Sequence, residues 1–278
     1  KKKKKNKFLD FSNEKKYVIK PSDSFGQNGV NLIQDKKNLA YKINNAYKFS
    51  TEKKIVIENF EEGIEINLVG IVEDKKIKII STSHRYTNHD LSFGIAFKHI
   101  YPIKLDQKNS SKLKNLCKKI IKAFRINNTV IYFQFLKKEN NFKVIEIAIR
   151  TPGGLMYELS KLVSGYDIIK FTILKSLGVK NSLNKYNIKK KKYKNLIIKF
   201  LTEYDFLNRK NLYLRKKSFY NLKGFVDLII YTKKKKKLRN SGGRIGGLFI
   251  TGKTIKNCKK NLKNMIDKFS LYEDKKFT

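Results

Sequence analysis

The sequence predicts an α+β protein with mainly antiparallel strands. Apolar runs of strand length recur along the chain and are joined by short turns, such as residues 73–75 between the runs 65–72 and 77–81. Fewer segments show the helical spacing of apolar residues. With 278 residues, 40% of them hydrophobic, the chain can form one large domain or two small ones with a real core.

Strands are expected where apolar runs are bounded by turn residues: 17–20, 30–33, 54–60, 65–72, 77–81, 129–136, 142–149, 196–201, further strands up to 231, and 244–251. Helices are expected at 38–48, 110–124, 156–163, 167–177 and 254–269. Ser110 is the expected N-cap of the second helix. Residues 84–104 are expected to form a long loop with aromatic anchors, and the basic runs 189–194 and 233–237 a solvated linker and a turn.

The net charge of +41 and the pI of about 10.1 would by themselves indicate a polyanionic partner. Arginine, whose planar fork suits nucleic-acid recognition, is scarce. Lysine, asparagine and isoleucine, which share A/T-rich codons, are abundant, so genome composition is a competing explanation of the charge. Nucleic acid is not expected as a partner, although a basic nucleic-acid-binding module stays an alternative.

No apolar run approaches the roughly 20 residues of a membrane span, and no apolar segment of a signal peptide follows the basic start. Cys117 and Cys258 form no CxxC motif and lie on apolar helix faces, so two buried, reduced thiols are expected. These features predict a cytoplasmic protein without a membrane partner. Because the chain begins with lysine shortly before its first strand, we expect natural sequence upstream.

The stretch VIKPSDSFGQNGV places Lys20 at the end of a strand and Gly26 and Gly29 in the loop that follows. Backbone N–H groups of such a loop can surround phosphate oxygens, and a nearby lysine adds a positive charge. The stretch is not a Walker A loop, because no GK[ST] follows. A phosphate-binding loop and a plain hairpin are both open interpretations.

The stretch IVIENFEEGIE ends one strand at Glu58 and begins the next at Glu65. A strand edge with free backbone groups can bind an adenine edge, and a carboxylate can accept hydrogen bonds from both ribose hydroxyls. The alternative is a solvent-facing acidic hairpin.

Gln134 in YFQF and Glu146 in VIEIAIR interrupt two neighbouring apolar strands. Antiparallel pairing across the turn 137–141 can place these side chains side by side. An amide oxygen and a carboxylate are hard ligands suited to Mg²⁺ that bridges phosphates, whereas a buried, unpaired glutamate would be costly. Arg150, at the end of the second strand, can clamp a carboxylate or a transferring phosphoryl group. A structural polar pair is the alternative.

In this order, the three motifs resemble the ATP-grasp superfamily, above all its carboxylate–amine ligase and carbamoyl-phosphate-synthase-like branch. The resemblance covers residues 17–178, and the tail 244–269 is similar to the hairpin and helix that close the domain in that branch. It implies an ATP-grasp fold of two α+β subdomains that grip a nucleotide. The implied division is a disordered start (1–16), a small subdomain with a glycine-loop lid (17–68), a large subdomain with the metal site (69–188) and a closing α+β portion (189–278).

The resemblance also implies ATP and Mg²⁺ as cofactors, with Mn²⁺ as an alternative metal. The implied phosphate contacts are Lys20, Arg85 and the loop around Ser24, Gly26 and Gly29, and the implied adenine and ribose contacts are Glu58, Asn59, Phe60 and Glu65. Gln134 and Glu146 would hold the metal, and Arg150 would stabilise the acyl phosphate or the tetrahedral intermediate.

The implied activity is that of a ligase that activates a small-molecule carboxylate as an acyl phosphate and joins it to an amine. The resemblance is compatible with a homodimer, since dimers are common in the family, but it does not decide the oligomeric state. The chain departs from the family at Ala148, where members usually carry an asparagine, and in lacking the family's N-terminal domain. These departures keep three alternatives open: a bicarbonate-using carboxylase or carbamoyl-phosphate-type enzyme, a degenerate nucleotide-binding domain, and the basic nucleic-acid module.

Overall fold

The computed structural model describes residues 15–179, 193–207, 214–232, 234 and 236–273. Most of the predicted disordered start and of the linker predicted at 189–194 lies outside the described residues. The chain divides into two compact units. The first comprises Lys1–Glu62, Thr87–Ile95 and Arg239–Gly242, and the second comprises Gly63–Tyr86, Ala96–Leu238 and Gly243–Thr278.

In its described residues, the first unit contains a three-stranded antiparallel sheet and one α-helix. Its strands are β1 (Tyr17–Pro21), β2 (Asn31–Ile33) and β3 (Ile55–Asn59), and the helix α1 spans Leu39–Lys48. The strand order is β2-β1-β3. Ile19, Ile33 and Ala46 are fully buried and form a small core with Tyr17. Because alternate residues of a strand face opposite sides, this core leaves Lys20 on the other face of β1.

The second unit is built on an eight-stranded sheet. Its strands are β4 (Ile64–Glu73), β5 (Lys76–Thr87), β6 (Ala96–Tyr101), β7 (Thr129–Lys138), β8 (Asn141–Ala148), β9 (Leu196–Leu201), β10 (Phe225–Ile230) and β11 (Gly246–Thr251). The strand order is β10-β11-β9-β6-β5-β4-β7-β8. The pairs β4–β5, β4–β7, β7–β8, β6–β9, β9–β11 and β10–β11 are antiparallel. The predicted α+β class with mainly antiparallel strands is confirmed.

Four helices contribute to three apolar clusters of the second unit. They are α2 (Gln107–Ala123), α3 (Met156–Ser164), α4 (Ile168–Ser176) and α5 (Ile255–Lys268). Cys117 of α2 and Cys258 of α5 lie in two of these clusters as buried, free thiols, as predicted. Leu159 of α3 and Phe171 of α4 are fully buried in the third cluster. Among the described residues, no helix is both long and apolar enough to span a membrane.

The long loop predicted at 84–104 is wrong at residues 84–87 and 96–101. Strand β5 continues to Thr87, and Ala96–Tyr101 forms β6, so that 88–95 lies between two strands. Residues 96–100 are buried although Lys98 and His99 are polar. An interior strand that buries polar side chains shows neither a continuous apolar run nor alternation, which is why sequence periodicity missed β6.

The predicted N-cap of α2 is also wrong. The helix begins one turn earlier, and Asp106 is its N-cap, with a carboxylate oxygen that accepts a 2.7 Å hydrogen bond from the backbone N–H of Asn109. Ser110 lies within the first turns and is exposed. Both residue types are good N-caps, so local sequence alone could not decide between them.

Replacing Asp106 with alanine should therefore destabilise the protein, whereas Ser110→Ala should not. We expect Asp106→Ala to lower the free energy of unfolding by roughly 1 kcal/mol, the usual effect of losing an N-cap. Urea denaturation of the two variants beside the wild type measures the difference. Equal stability of the two variants would contradict the assignment of Asp106 as the cap.

Candidate functional site

In the first unit, Lys20 and Glu58 form an ion pair. Lys20 lies on β1 next to the proline that ends the strand, and Glu58 lies on the neighbouring β3. The Lys20 Nζ is 2.8 Å from Glu58 Oε1, and both side chains are partly exposed. A solvated pair gains little from its mutual attraction, so an arriving phosphate can compete for the lysine. Two residues with separate predicted roles are thus brought together.

The loop between β1 and β2 is anchored at its start by Asp23. Its carboxylate accepts a hydrogen bond from the Ser50 hydroxyl and bonds of 2.9 and 3.0 Å from the backbone N–H groups of Thr51 and Glu52. The bond from Ser50, more than the others, lowers the pKa of Asp23 to about 2. Asp23 is therefore ionised at neutral pH and ties the loop to the segment before β3.

The same loop has two glycines in left-handed backbone conformations. Gly26 has a φ of +66° and Gly29 a φ of +72°, and a Cβ at residue 29 would lie 2.9 Å from the Cγ of Pro21. The Gly26 carbonyl accepts a 3.0 Å hydrogen bond from the backbone N–H of Ser241. Between these fixed points Ser24 and Phe25 are exposed. The predicted phosphate loop therefore has an anchored base and an exposed tip.

Phe60, at the end of the predicted adenine segment, packs in an aromatic cluster. Its ring centroid lies 5.8 Å from that of His89 and 6.1 Å from that of Phe93. Its backbone N–H donates to the Lys16 carbonyl at 2.9 Å. Phe93 is one of the aromatic residues predicted to anchor the segment 84–104. Asn59 is the last residue of β3 and is exposed.

In the second unit, Glu65, Arg85 and Gln134 form a buried polar cluster on three adjacent strands. Glu65 Oε2 accepts a 2.5 Å bond from Arg85 Nη1 and a 2.7 Å bond from Gln134 Nε2. The three residues are 9%, 6% and 5% exposed. Burial of a carboxylate and a guanidinium is tolerated because each charge has a partner with good geometry. The sequence assigned these residues three different roles and did not predict their contact.

Gln134 and Glu146 stand directly opposite each other on β7 and β8, as predicted. The expectation that Glu146 is buried is wrong, because this side chain is exposed. Strand β8 is the edge strand of the eight-stranded sheet, and its residues are less covered than those of the central strands. Local sequence does not reveal which of two apolar strands lies at an edge.

Two further residues of the predicted site lie at the end of β8. Ala148 is the last residue of the strand and stands opposite Tyr132 of β7. Arg150 follows the strand, is exposed, and donates from Nη1 to the Thr151 carbonyl at 3.0 Å. The exposed guanidinium can therefore reach a bound anion at this edge.

Sequence reasoning missed a buried relay beside this cluster. The Tyr132 hydroxyl donates to Asn67 Oδ1 at 2.6 Å, and Asn67 Nδ2 lies 3.2 Å from Nδ1 of His99. Complete burial, and then the charge of Arg244, hold the pKa of His99 well below its usual value. His99 is therefore neutral and accepts at Nδ1. The signal that singled out Gln134, a polar residue within an apolar strand, also marks Asn67.

Arg244 is a further residue of this region that the sequence did not single out. It is 7% exposed and lies two residues before β11. Burial, followed by the charge of Arg85, lowers the pKa of Arg244 to about 9. Burial raises the pKa of the Tyr132 hydroxyl, which stays protonated at neutral pH. Within the second unit, Glu65, Arg85 and Glu146 thus share one electrostatic environment with Tyr132 and Arg244.

The donor set of the second unit fits a metal that is shared with phosphates. In the described part of the chain, no three His, Cys, Asp or Glu side chains cluster in a way that could hold a metal ion. The pair Gln134 and Glu146 offers an amide oxygen and a carboxylate, and the Gln134 amide nitrogen is engaged by Glu65. Mg²⁺ is commonly bound by one or two such groups together with substrate phosphates.

Replacing Arg85 with methionine should strongly destabilise the second unit. The change leaves the Glu65 carboxylate buried without its cation, and breaking such a pair costs roughly 3–5 kcal/mol. Urea denaturation should show a larger loss for Arg85→Met than for the double variant Glu65→Gln/Arg85→Met. The exposed Arg125 provides a matched control as Arg125→Met. A double variant less stable than Arg85→Met would contradict the burial argument.

Comparison with known proteins supports the fold. A family model described as an ATP-grasp domain matches residues 14–158, just over half of the chain. The arginine-specific mitochondrial carbamoyl phosphate synthase large chain of Neurospora crassa is 28% identical over 147 residues, which are 50% of this chain and 12% of that protein. The chain spans only 12–15% of the length of the first curated relatives it matches.

Comparison with solved structures supports the same fold. The L-amino acid ligase of Bacillus licheniformis superposes with a TM-score of 0.68 at 14% identity, over 90% of this chain and 61% of that one. The N5-carboxyaminoimidazole synthetase of Staphylococcus aureus, complexed with ADP, gives 0.64 at 19% identity, over 91% and 61%. At these identities the likeness concerns the fold, which is the one predicted. With the family match over residues 14–158, these findings show that the chain belongs to the ATP-grasp family.

Proposed function

We propose that this protein is an ATP-dependent ligase that activates a carboxylate as an acyl phosphate and joins it to an amine. The observation that carries the proposal is the pairing of Gln134 with Glu146 across β7 and β8, next to the buried Glu65–Arg85 pair. Membership of the ATP-grasp family and the ADP in the related S. aureus structure support a nucleotide as the phosphoryl donor.

The reaction would proceed in two transfers. A carboxylate oxygen attacks the γ-phosphorus of ATP, the bond from that phosphorus to the bridging oxygen breaks, and ADP leaves. The amine nitrogen then attacks the acyl carbon, the bond to the phosphate oxygen breaks, inorganic phosphate leaves and the nitrogen loses a proton. Neither transfer requires a covalent bond to the protein, so the residues act by positioning and electrostatics.

In this proposal, the first unit binds the nucleotide. Lys20 exchanges its solvent-exposed contact with Glu58 for a contact with the phosphates, and the loop around Ser24, Gly26 and Gly29 covers them. Glu58, Asn59 and Phe60 contact the adenine, partly through their backbone groups. Glu65 remains the candidate for the ribose, and a ribose contact would have to be made alongside its bonds from Arg85 and Gln134.

Gln134 and Glu146 would hold Mg²⁺, with Mn²⁺ as an alternative, through an amide oxygen and a carboxylate. The metal would neutralise part of the negative charge of the phosphates. Arg150 would stabilise the oxyanion of the acyl phosphate or of the tetrahedral intermediate, and Arg85 would add positive charge near the phosphates. The subdomain division at 68/69 and 188/189, the homodimer and the cytoplasmic location stay predictions.

A bicarbonate-using enzyme of the carbamoyl-phosphate or carboxylase type is the second candidate. The curated relatives are named carbamoyl phosphate synthases, which favours it. It uses the same residues, with bicarbonate in place of an organic acid. Release of ADP that requires bicarbonate, measured beside a panel of organic acids and amines, separates the two candidates. A degenerate domain, suggested by Ala148, would bind nucleotide and release no ADP with either substrate class.

The metal assignment predicts that Glu146→Gln lowers Mg²⁺-dependent ADP release by at least about 100-fold, the scale expected when one electrostatic contact to the transition state is removed. Because Glu146 is exposed, the fold should be unchanged by circular dichroism. Glu139→Gln, in the exposed turn between β7 and β8, is the matched control. Wild-type rates in Glu146→Gln would remove Glu146 from the site.

The phosphate assignment predicts that Lys20→Ala weakens binding of a non-hydrolysable ATP analogue by tenfold or more. A charge-assisted hydrogen bond contributes roughly 1.5–3 kcal/mol, and about 1.4 kcal/mol corresponds to tenfold in Kd. Calorimetric titration at moderate salt measures the change. Lys48→Ala, an exposed lysine at the end of α1, controls for the loss of one positive charge. Equal affinities of the two variants would exclude Lys20 from the nucleotide site.

A further inference from the structure

Arg244 is a buried cation without an anionic partner in the described part of the chain. Its guanidinium carbon lies 3.9 Å from the centroid of the Phe200 ring, and its Nη2 donates to the Ala96 carbonyl at 2.9 Å. Its Nε is fully buried and has no hydrogen-bond partner. No described acidic side chain lies within ion-pair distance of Arg244. The side chain is thus fixed in place, and its charge is not compensated.

The carboxylate of Glu65, the acidic side chain of the neighbouring polar cluster, does not neutralise Arg244. Glu65 is engaged by Arg85 and Gln134, and Arg85 itself interacts unfavourably with Arg244. Of the other ionisable side chains around Arg244, His99 is neutral, and the Tyr132 and Tyr231 hydroxyls stay protonated because burial raises the pKa of each. Glu65 thus compensates Arg85, and the charge of Arg244 has no compensating anion among the described residues.

Two other cations of the second unit that are largely shielded from solvent have a carboxylate partner. Lys199 Nζ lies 2.6 Å from Asp205 Oδ1, and Lys175 Nζ lies 2.6 Å from Glu73 Oε1. A buried ionised group without a partner is costly, and proteins usually avoid it. The exception at Arg244 points to a partner that arrives from solution.

The geometry selects the kind of partner. A planar guanidinium matches the two oxygens of a carboxylate or bicarbonate ion with parallel hydrogen bonds. A Cβ at residue 154 would lie 3.4 Å from Nη1 of Arg244, so this nitrogen faces the Gly153–Gly154 turn that follows Arg150. The neighbouring His99 is neutral and adds no further charge.

We propose that Arg244 binds the carboxylate that is to be phosphorylated, either an organic carboxylate or bicarbonate. That the bound anion is then phosphorylated rests on the proposed ligase function. Binding of the anion itself requires no nucleotide. Arg244 thereby acts as the group that holds the acid, and Arg150 acts on the charge that develops later.

The test is thermal unfolding of the full chain in increasing sodium acetate or sodium bicarbonate, without nucleotide and with sodium chloride to keep the ionic strength constant. We expect either anion to raise the unfolding midpoint of the wild type by about 2–5 °C at saturating concentrations. The rise should be lost in Arg244→Met and require at least fivefold more anion in Arg244→Lys, which keeps the charge but not the fork. Arg239→Met, at an exposed arginine, should respond like the wild type.

The midpoint without added anion distinguishes binding from a structural role. If Arg244 is an uncompensated charge, Arg244→Met should be at least as stable as the wild type in chloride. Failure of both Arg244 variants to fold would overturn the proposal, because Arg244 would then be a structural tether of Ala96. An equal rise in Arg244→Met and wild type, no rise in the wild type, or a rise with inorganic phosphate but not with either carboxylate would also overturn it. Arg244-dependent anion binding without ADP release would leave this inference standing and refute the ligase function instead.

Discussion

The buried contact of Glu65 with Arg85 and Gln134 is the constraint on which the second unit's polar site depends. These residues come from β4, β5 and β7, which are neighbours in the order β5-β4-β7. A shift of register by one residue would turn one of the three side chains to the opposite face and leave a buried charge without its partner. The contact therefore fixes both the register of three strands and the position of Gln134.

The alternation of side chains along the strands extends this face. Asn67 is two residues from Glu65 on β4, and Tyr132 is two residues from Gln134 on β7, so all four point to the same side of the sheet. Their hydrogen bonds connect Tyr132 to Asn67 and Asn67 to His99. These hydrogen bonds compensate the burial of the groups that make them and give the site a rigid base.

How far the sequence could predict this arrangement depended on the range of the interactions. The opposition of Gln134 and Glu146 follows from a short turn and strand alternation, both local properties, and was predicted correctly. The exposure of Glu146 depends on β8 being the edge strand, and the cluster of Glu65 with Arg85 depends on the strand order, so neither could be derived from local patterns. Arg244 is far from the other site residues in sequence, and only the folded chain brings it to His99.

Net charge and buried charge carry different information in this chain. The value of +41 arises largely from lysine, which codon composition can enrich at exposed positions without a selected partner. Burial of a cation is costly whatever the codon composition, so each buried cation calls for a physical explanation. The carboxylates of Glu65 and Asp205 explain Arg85 and Lys199. Because arginine is scarce here, Arg244, buried and uncompensated, is a more specific indication of an anionic substrate than the net charge of the whole chain.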